Sequence, residues 1–207
     1  MRALGLLLPF VCLLPLSAQT WEAGLFLGRQ FCQAADVPAG SSNFYYTAAR
    51  KPDSATVYGL SIGRSVGSVG PFELQFTAAY QPDVTTRVRQ ESLTSYVFIP
   101  PEFDLKTGYA GLGAMFYLKA LETVGGGLEY RFEHFGAGSI HDHEARPWLR
   151  LKAGLNLPSV PALKPFIGLE ASVPLVSSKP GRGPYADGQL VFNAPKAQVG
   201  IAGGVRF

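Results

Sequence analysis

The sequence predicts an all-β protein, an eight-stranded antiparallel up-and-down transmembrane β-barrel. Three observations predict it. Eight stretches alternate apolar with small or polar residues at a period of two. The connections between them run long, short, long, short, long, short, long. Past the N-terminal segment no apolar run reaches the ~20 residues of a membrane helix, whereas a spanning strand needs only ~9–11, half of them facing inward.

Residues 2–18 read as a secretory signal peptide. Arg2 supplies the positive charge, Ala3–Leu16 the short apolar run, and Ser17-Ala18 the small residues for cleavage. The expected organisation is a signal peptide over 1–18 and one barrel domain over 19–207. Cys12 leaves with the signal. Cys32 is then a lone thiol, expected to be unpaired and sheltered. With 18 Lys and Arg against 15 Asp and Glu, the chain has no basic footprint for nucleic acid.

The first strand is Thr20–Phe31, with Trp21, Ala23, Leu25 and Leu27 on one face and Glu22, Gly24, Gly28 and Gln30 on the other. The second, Thr56–Val66, sets Tyr58, Leu60 and Ile62 against Gly59, Ser61 and Gly63. The third, Phe72–Gln81, alternates most cleanly: Phe72, Leu74, Phe76, Ala78 and Tyr80 against Glu73, Gln75, Thr77, Ala79 and Gln81. The fourth is Leu105–Leu118, with Ala110, Leu112, Ala114 and Phe116 outward.

In the fifth, Thr123–Phe135, Leu128, Tyr130 and Phe132 oppose Glu129, Arg131 and Glu133. The sixth, Pro147–Leu157, sets Leu149, Leu151 and Leu155 against Trp148, Arg150 and Lys152. The seventh, Pro165–Leu175, sets Ile167, Leu169 and Val173 against Phe166, Glu170 and Ser172. The eighth, Ala197–Phe207, sets Val199, Ile201 and Val205 against Gln198, Gly200 and Arg206. Long connections fall at 32–55, 82–104, 136–146 and 178–195, short ones at 67–71, 119–122 and 159–164. With both termini on the short-turn side, every long loop faces the cell exterior.

This chain resembles the small eight-stranded outer-membrane barrels of the OmpA transmembrane-domain, OmpX and OmpW kind. The resemblance covers Gln19–Phe207 and rests on the architecture and on the terminal strand ending in an aromatic, Phe207. It implies residence in the bacterial outer membrane, with lipid and lipopolysaccharide as surroundings. It also implies a barrel-assembly machinery that reads the terminal strand, with Phe207 as the assembly signal.

Closing the strands turns nine charges inward: Glu22, Glu73, Glu129, Arg131, Glu133, Arg150, Lys152, Glu170 and Arg206. Five acids and four bases in a narrow interior must pair, because an isolated buried ion costs several kcal/mol. Eight strands leave room for little beyond their own side chains. The expectation is a filled lumen, and the alternative is an ion pathway. Outward, Trp21, Phe72, Phe116 and Phe207 are expected at the short-turn end and Tyr58 and Tyr80 at the other, as two aromatic girdles. Arg29 and Lys106 are expected outward, near the exterior ends.

The expected function is non-enzymatic: anchoring and displaying four loops, for envelope structure or surface interaction, with no cofactor. One alternative is a narrow channel or a carrier of small apolar molecules. Another is a soluble lipocalin-like barrel with its apolar face inward. A third is a lipid A-modifying enzyme of the deacylase type, which Arg131–Phe135 is similar to as far as His134; that type has a Ser where Gly136 stands here, so the nucleophile is missing. His141 and His143, two apart in the third long loop, are weak metal-ligand candidates; a solvated polar loop is the expected state.

Overall fold

The computed structural model describes residues 20–39, 46–92, 102–158, 162–178 and 193–207. The segment read as a signal peptide lies outside them, as do residues 41–45 and 185–192 of the aromatic-bearing loops. The strands are β1 (Trp21–Cys32), β2 (Ala35–Ala39), β3 (Tyr46–Pro52), β4 (Ala55–Val69), β5 (Phe72–Ser92), β6 (Glu102–Leu118), β7 (Gly125–Ala137), β8 (Ile140–Asn156), β9 (Lys164–Pro174) and β10 (Pro195–Arg206).

All pairings are antiparallel. β1 pairs with β4 on one side and with β10 on the other, and β5 pairs with β6. The eight long strands thereby close into a ring, so the ladder satisfies their backbone groups without leaving an edge. The hairpin of β2 and β3 lies beside the far end of β5, where residues 48–52 pair with 88–92.

Register sets the width of the ring. Starting at Val57 on β4, the partners run through Gly28, Gly200, Glu170, Lys152, Gly125, Tyr117 and Glu73. They return to β4 at Ser68, eleven positions further along. The bulge between Ser65 and Gly67 accounts for one position, which leaves a stagger of ten. Eight strands with that stagger tilt by ~40° and enclose a backbone radius of about 8 Å. Such a cylinder holds side chains and little else.

The two faces divide as the alternation expects. Glu22, Gln30, Glu129, Arg131, Trp148, Arg150, Lys152, Glu170 and Gln198 are buried inside. Leu25, Leu60, Leu112, Leu128, Leu155, Leu169 and Ile201 are exposed outside. Cys32 is buried and free.

Two long connections are shorter than the alternation suggests, for two different reasons. Pro82 reads as a strand stop, yet β5 continues to Ser92. A bulge between Gln81 and Val84 absorbs Pro82 and Asp83, the setting in which a sheet tolerates proline. The bulge also inverts the parity: Gln75, Thr77 and Gln81 are buried before it, Val84, Thr86 and Val88 after it. The second correction concerns residues 136–146, which are strand rather than loop. β7 and β8 meet at a two-residue turn, Gly138-Ser139, with Gly138 at φ +59°. A hairpin turn with positive φ at its first central residue favours glycine there. His141 and His143 therefore stand on β8 and not in a loop.

Some glycines of the barrel strands stand where a neighbouring backbone or ring comes close. A Cβ added at Gly204 would run into the Ala23 carbonyl oxygen of β1 and would meet Phe166 Cζ at 2.8 Å. At outward-facing Gly203 the nearest atom to such a Cβ is 3.5 Å away. Gly204→Val is expected to destabilise the protein by roughly 1–3 kcal/mol, read as a lower urea midpoint. Gly203→Val should stay within about 0.5 kcal/mol of the parent.

Candidate functional site

The interior is a stack of ion clusters tied by amides. Near the short-turn end, Glu22 of β1 accepts from Lys152 Nζ of β8 at 2.6 Å and from Arg206 Nε of β10 at 2.8 Å. Lys152 Nζ also lies 3.9 Å from the centroid of Phe166, and Arg206 lies 4.9 Å from that of Tyr117. These cations thus trade water for a carboxylate and an aromatic face.

Farther along, Glu129 is shared by Arg131 (2.5 Å) and Arg150 (3.2 Å). Arg150 makes a bidentate pair with Glu170 at 2.7 and 2.9 Å. Arg131 donates onward to Gln198 Oε1 at 2.8 Å and to Ser172 Oγ at 3.0 Å. Its guanidinium is held between Tyr109 and Trp148, 4.0 and 4.1 Å from their centroids.

Three glutamines extend the network across the ring. Gln198 Nε2 donates to Gln30 Oε1 at 2.8 Å and to Gln81 Oε1 at 2.9 Å, and Gln30 Nε2 donates to Thr107 Oγ1 at 2.8 Å. Toward the long-connection end Arg146 forks Glu133 at 2.6 and 2.9 Å and donates to the Pro195 carbonyl at 3.0 Å. Val88, Leu105, Phe135 and Ala194 then pack together, with Phe103 and Ala137 against them. Along the bore, ion clusters and amides alternate and end on hydrocarbon.

Eight of the nine charges expected inside are buried and paired in this network: Glu22, Glu129, Arg131, Glu133, Arg150, Lys152, Glu170 and Arg206. Glu73 is the exception. It stands one residue into β5, at the rim, only partly buried, and accepts from Thr20 Oγ1 at 3.5 Å. Arg146, at the other end of the barrel, is a buried charge outside the nine expected. It is 2 % exposed and continues the inward parity of Trp148, Arg150 and Lys152, a signal hidden by reading 136–146 as a loop. Glu144 flanks Arg146 at 3.5 Å, so a second carboxylate reaches the cation at the mouth.

On the outer wall a groove of about 490 Å³ runs above the apolar rows. Tyr80, Ala110, Phe132 and Ala145 are register partners across β5 to β8 and line its lower part. His134 and His143 line the upper part, and His134 Nε2 lies against Asp83 Oδ1. Among the described residues no group of three His, Cys, Asp or Glu side chains is gathered as a ready metal centre. His141 stands opposite Gly136, one row higher. No hydroxyl stands at Gly136, so His134 has no serine two residues on to activate.

Elsewhere on the wall, Arg29 turns outward and donates to Thr56 Oγ1 at 3.2 Å and to Ser54 Oγ at 2.5 Å. Lys106 is also exposed there. Phe207 exchanges both backbone hydrogen bonds with Trp21, at 2.8 and 3.0 Å, and its ring is exposed.

Compared with models of known protein families and with curated proteins, the chain matches none.

Glu22 is ion-paired with both Lys152 and Arg206, at 2.6 and 2.8 Å. Glu22→Gln should therefore cost roughly 3–5 kcal/mol, the cost of stranding a buried charge, measured by denaturant unfolding. Glu73→Gln, at the rim, is expected to stay within about 0.5 kcal/mol of the parent in the same assay.

Proposed function

We propose that this chain is an integral outer-membrane β-barrel protein. In this reading it is non-enzymatic and anchors and displays the connections at its long-loop end, for envelope structure or surface interaction. The observation that carries the reading is the outer face. Leu25, Leu112, Leu155 and Leu169 are 63, 62, 73 and 65 % exposed, and their neighbours around the ring are as apolar. A monomeric protein in water rarely exposes a contiguous apolar patch beyond a few hundred Å².

The dimensions of that face support lipid as its partner. On β6 the outward run from Ala110 to Leu118 holds only apolar residues, bounded above by Lys106. At ~40° tilt those eight steps rise about 20 Å, close to the ~25 Å apolar band of such barrels. Trp21, Phe72, Phe116 and Phe207 are exposed at one border and Tyr58 and Tyr80 at the other. A lipocalin-like barrel would carry these residues inside and its charges outside. The partners of this reading are outer-membrane lipid, lipopolysaccharide and the assembly machinery, with Phe207 as the handle that the family resemblance implies.

The filled interior favours a scaffold over a channel. Opening a path would require separating buried pairs such as Arg150–Glu170 and displacing the Val88–Leu105–Phe135 cluster.

Cell fractionation tests the reading directly. The intact protein is expected with the outer membrane, with heat-modifiable gel mobility in detergent. Recovery of the folded protein from the soluble periplasm without detergent overturns the reading. In planar bilayers the purified protein is expected to show no steady open state. Leu112→Arg should cost roughly 2–4 kcal/mol in a lipid bilayer, measured by unfolding from vesicles; an unchanged midpoint would mean that Leu112 does not face lipid.

A further inference from the structure

The outer groove carries a feature that barrel stability and membrane anchoring do not use: two imidazoles placed side by side, one of them fixed by a carboxylate. His134 on β7 and His143 on β8 are register partners, so both side chains leave the sheet on the same outward side. Their ring centroids are 6.4 Å apart. His134 gives its Nε2 to Asp83, which leaves Nδ1 as its free nitrogen.

That carboxylate reaches His134 by a constructed route. Asp83 belongs to β5, and a whole strand, β6, lies between it and β7. The bulge between Gln81 and Val84 turns Asp83 outward. Gly108, the register partner of His134 on β6, leaves the passage open. A Cβ there would come within 2.6 Å of Asp83 Oδ1 and 2.7 Å of His134 Cε1. A bulge and a glycine thus meet at one point, and the product is an oriented histidine.

We infer that His134 and His143 form a two-imidazole site for a divalent transition ion of the Cu²⁺, Ni²⁺ or Zn²⁺ class, with Asp83 as the positioning residue. Imidazole nitrogen suits these ions. A ligating histidine commonly gives its other ring nitrogen to a carboxylate, which sets its tautomer and raises its basicity. Bonds of ~2.0–2.1 Å place two ring centroids about 5–6.5 Å apart around one ion. The observed 6.4 Å is the open end of that range, and exposed His143 closes it by side-chain rotation. Asp83 is engaged on the far nitrogen and is not a third ligand. Water from the open groove completes the coordination.

The pairing differs from the one the sequence suggests. His141 and His143 are two apart on one strand, but His141 faces Gly136, which offers no donor side chain. The site joins two strands.

The test uses the folded full chain without a histidine tag, titrated with Cu²⁺ and read by electron paramagnetic resonance, with Zn²⁺ as competitor. The outcome is independent of whether the outer belt meets lipid, since the groove is open in either case. A one-to-one species with nitrogen hyperfine coupling is expected. His143→Gln and His134→Gln should each weaken binding about tenfold or more, and Asp83→Asn by roughly 10–100-fold. His141→Gln should leave it within about twofold. Because His143 is exposed, its variant keeps the fold and carries the test even if substitution at His134 does not. Cu²⁺ binding that survives His143→Gln unchanged overturns the site. So does a loss in His141→Gln equal to that in His143→Gln with none in His134→Gln, or the absence of any species beyond that of the His134→Gln/His143→Gln double variant.

Discussion

A closed ring of eight strands with a stagger of ten leaves an interior about 8 Å in backbone radius, and almost everything else in this molecule answers to that width. Polar side chains directed into so narrow a space cannot keep their water. Each must find a partner inside the ring, and many of those partners stand on other strands, remote in sequence. Glu22 meets Lys152 and Arg206, and Gln30 meets Thr107. Arg131 reaches Gln198 and Ser172 while stacked between two aromatic rings. The cost of leaving any of these groups unpaired makes the network a constraint on register, because a one-residue slip would turn every charge to the other face.

The same width explains the glycines. Where the Ala23 backbone and the Phe166 ring both close in, there is no room for a side chain, and Gly204 stands there. Large and small residues alternate around the interior because their volumes must sum to a fixed bore. The outer face has no such limit. It is free to be uniformly apolar, and this freedom underlies the proposed lipid-facing role. Its interruptions concentrate above the apolar rows, where β5 bulges and Asp83, His134 and His143 come together.

Most of the ring was legible in the chain. The period of two located all eight barrel strands, and their polar faces named eight of the buried charges. Glu73 keeps the inward parity of Gln75 and Thr77 but stands at the rim, because alternation tells face and not depth. Arg146 has a readable parity, but the Gly138-Ser139 turn between β7 and β8 looks, from sequence, like part of a longer loop. Asp83 gave no such signal. It follows Pro82 at a point where the parity inverts, and neither periodicity nor propensity marks a bulge in advance.

By itself the sequence determined which side of each strand is apolar, because that information is local and repeats every two residues. It also determined that the inward charges would nearly balance. Only the tertiary structure decided which acid meets which base, and that His143 faces His134 rather than joining His141. Those outcomes depend on stagger and on bulges, which are properties of strand pairs and of the closed ring. A single strand carries its own alternation, but its neighbour sets its height.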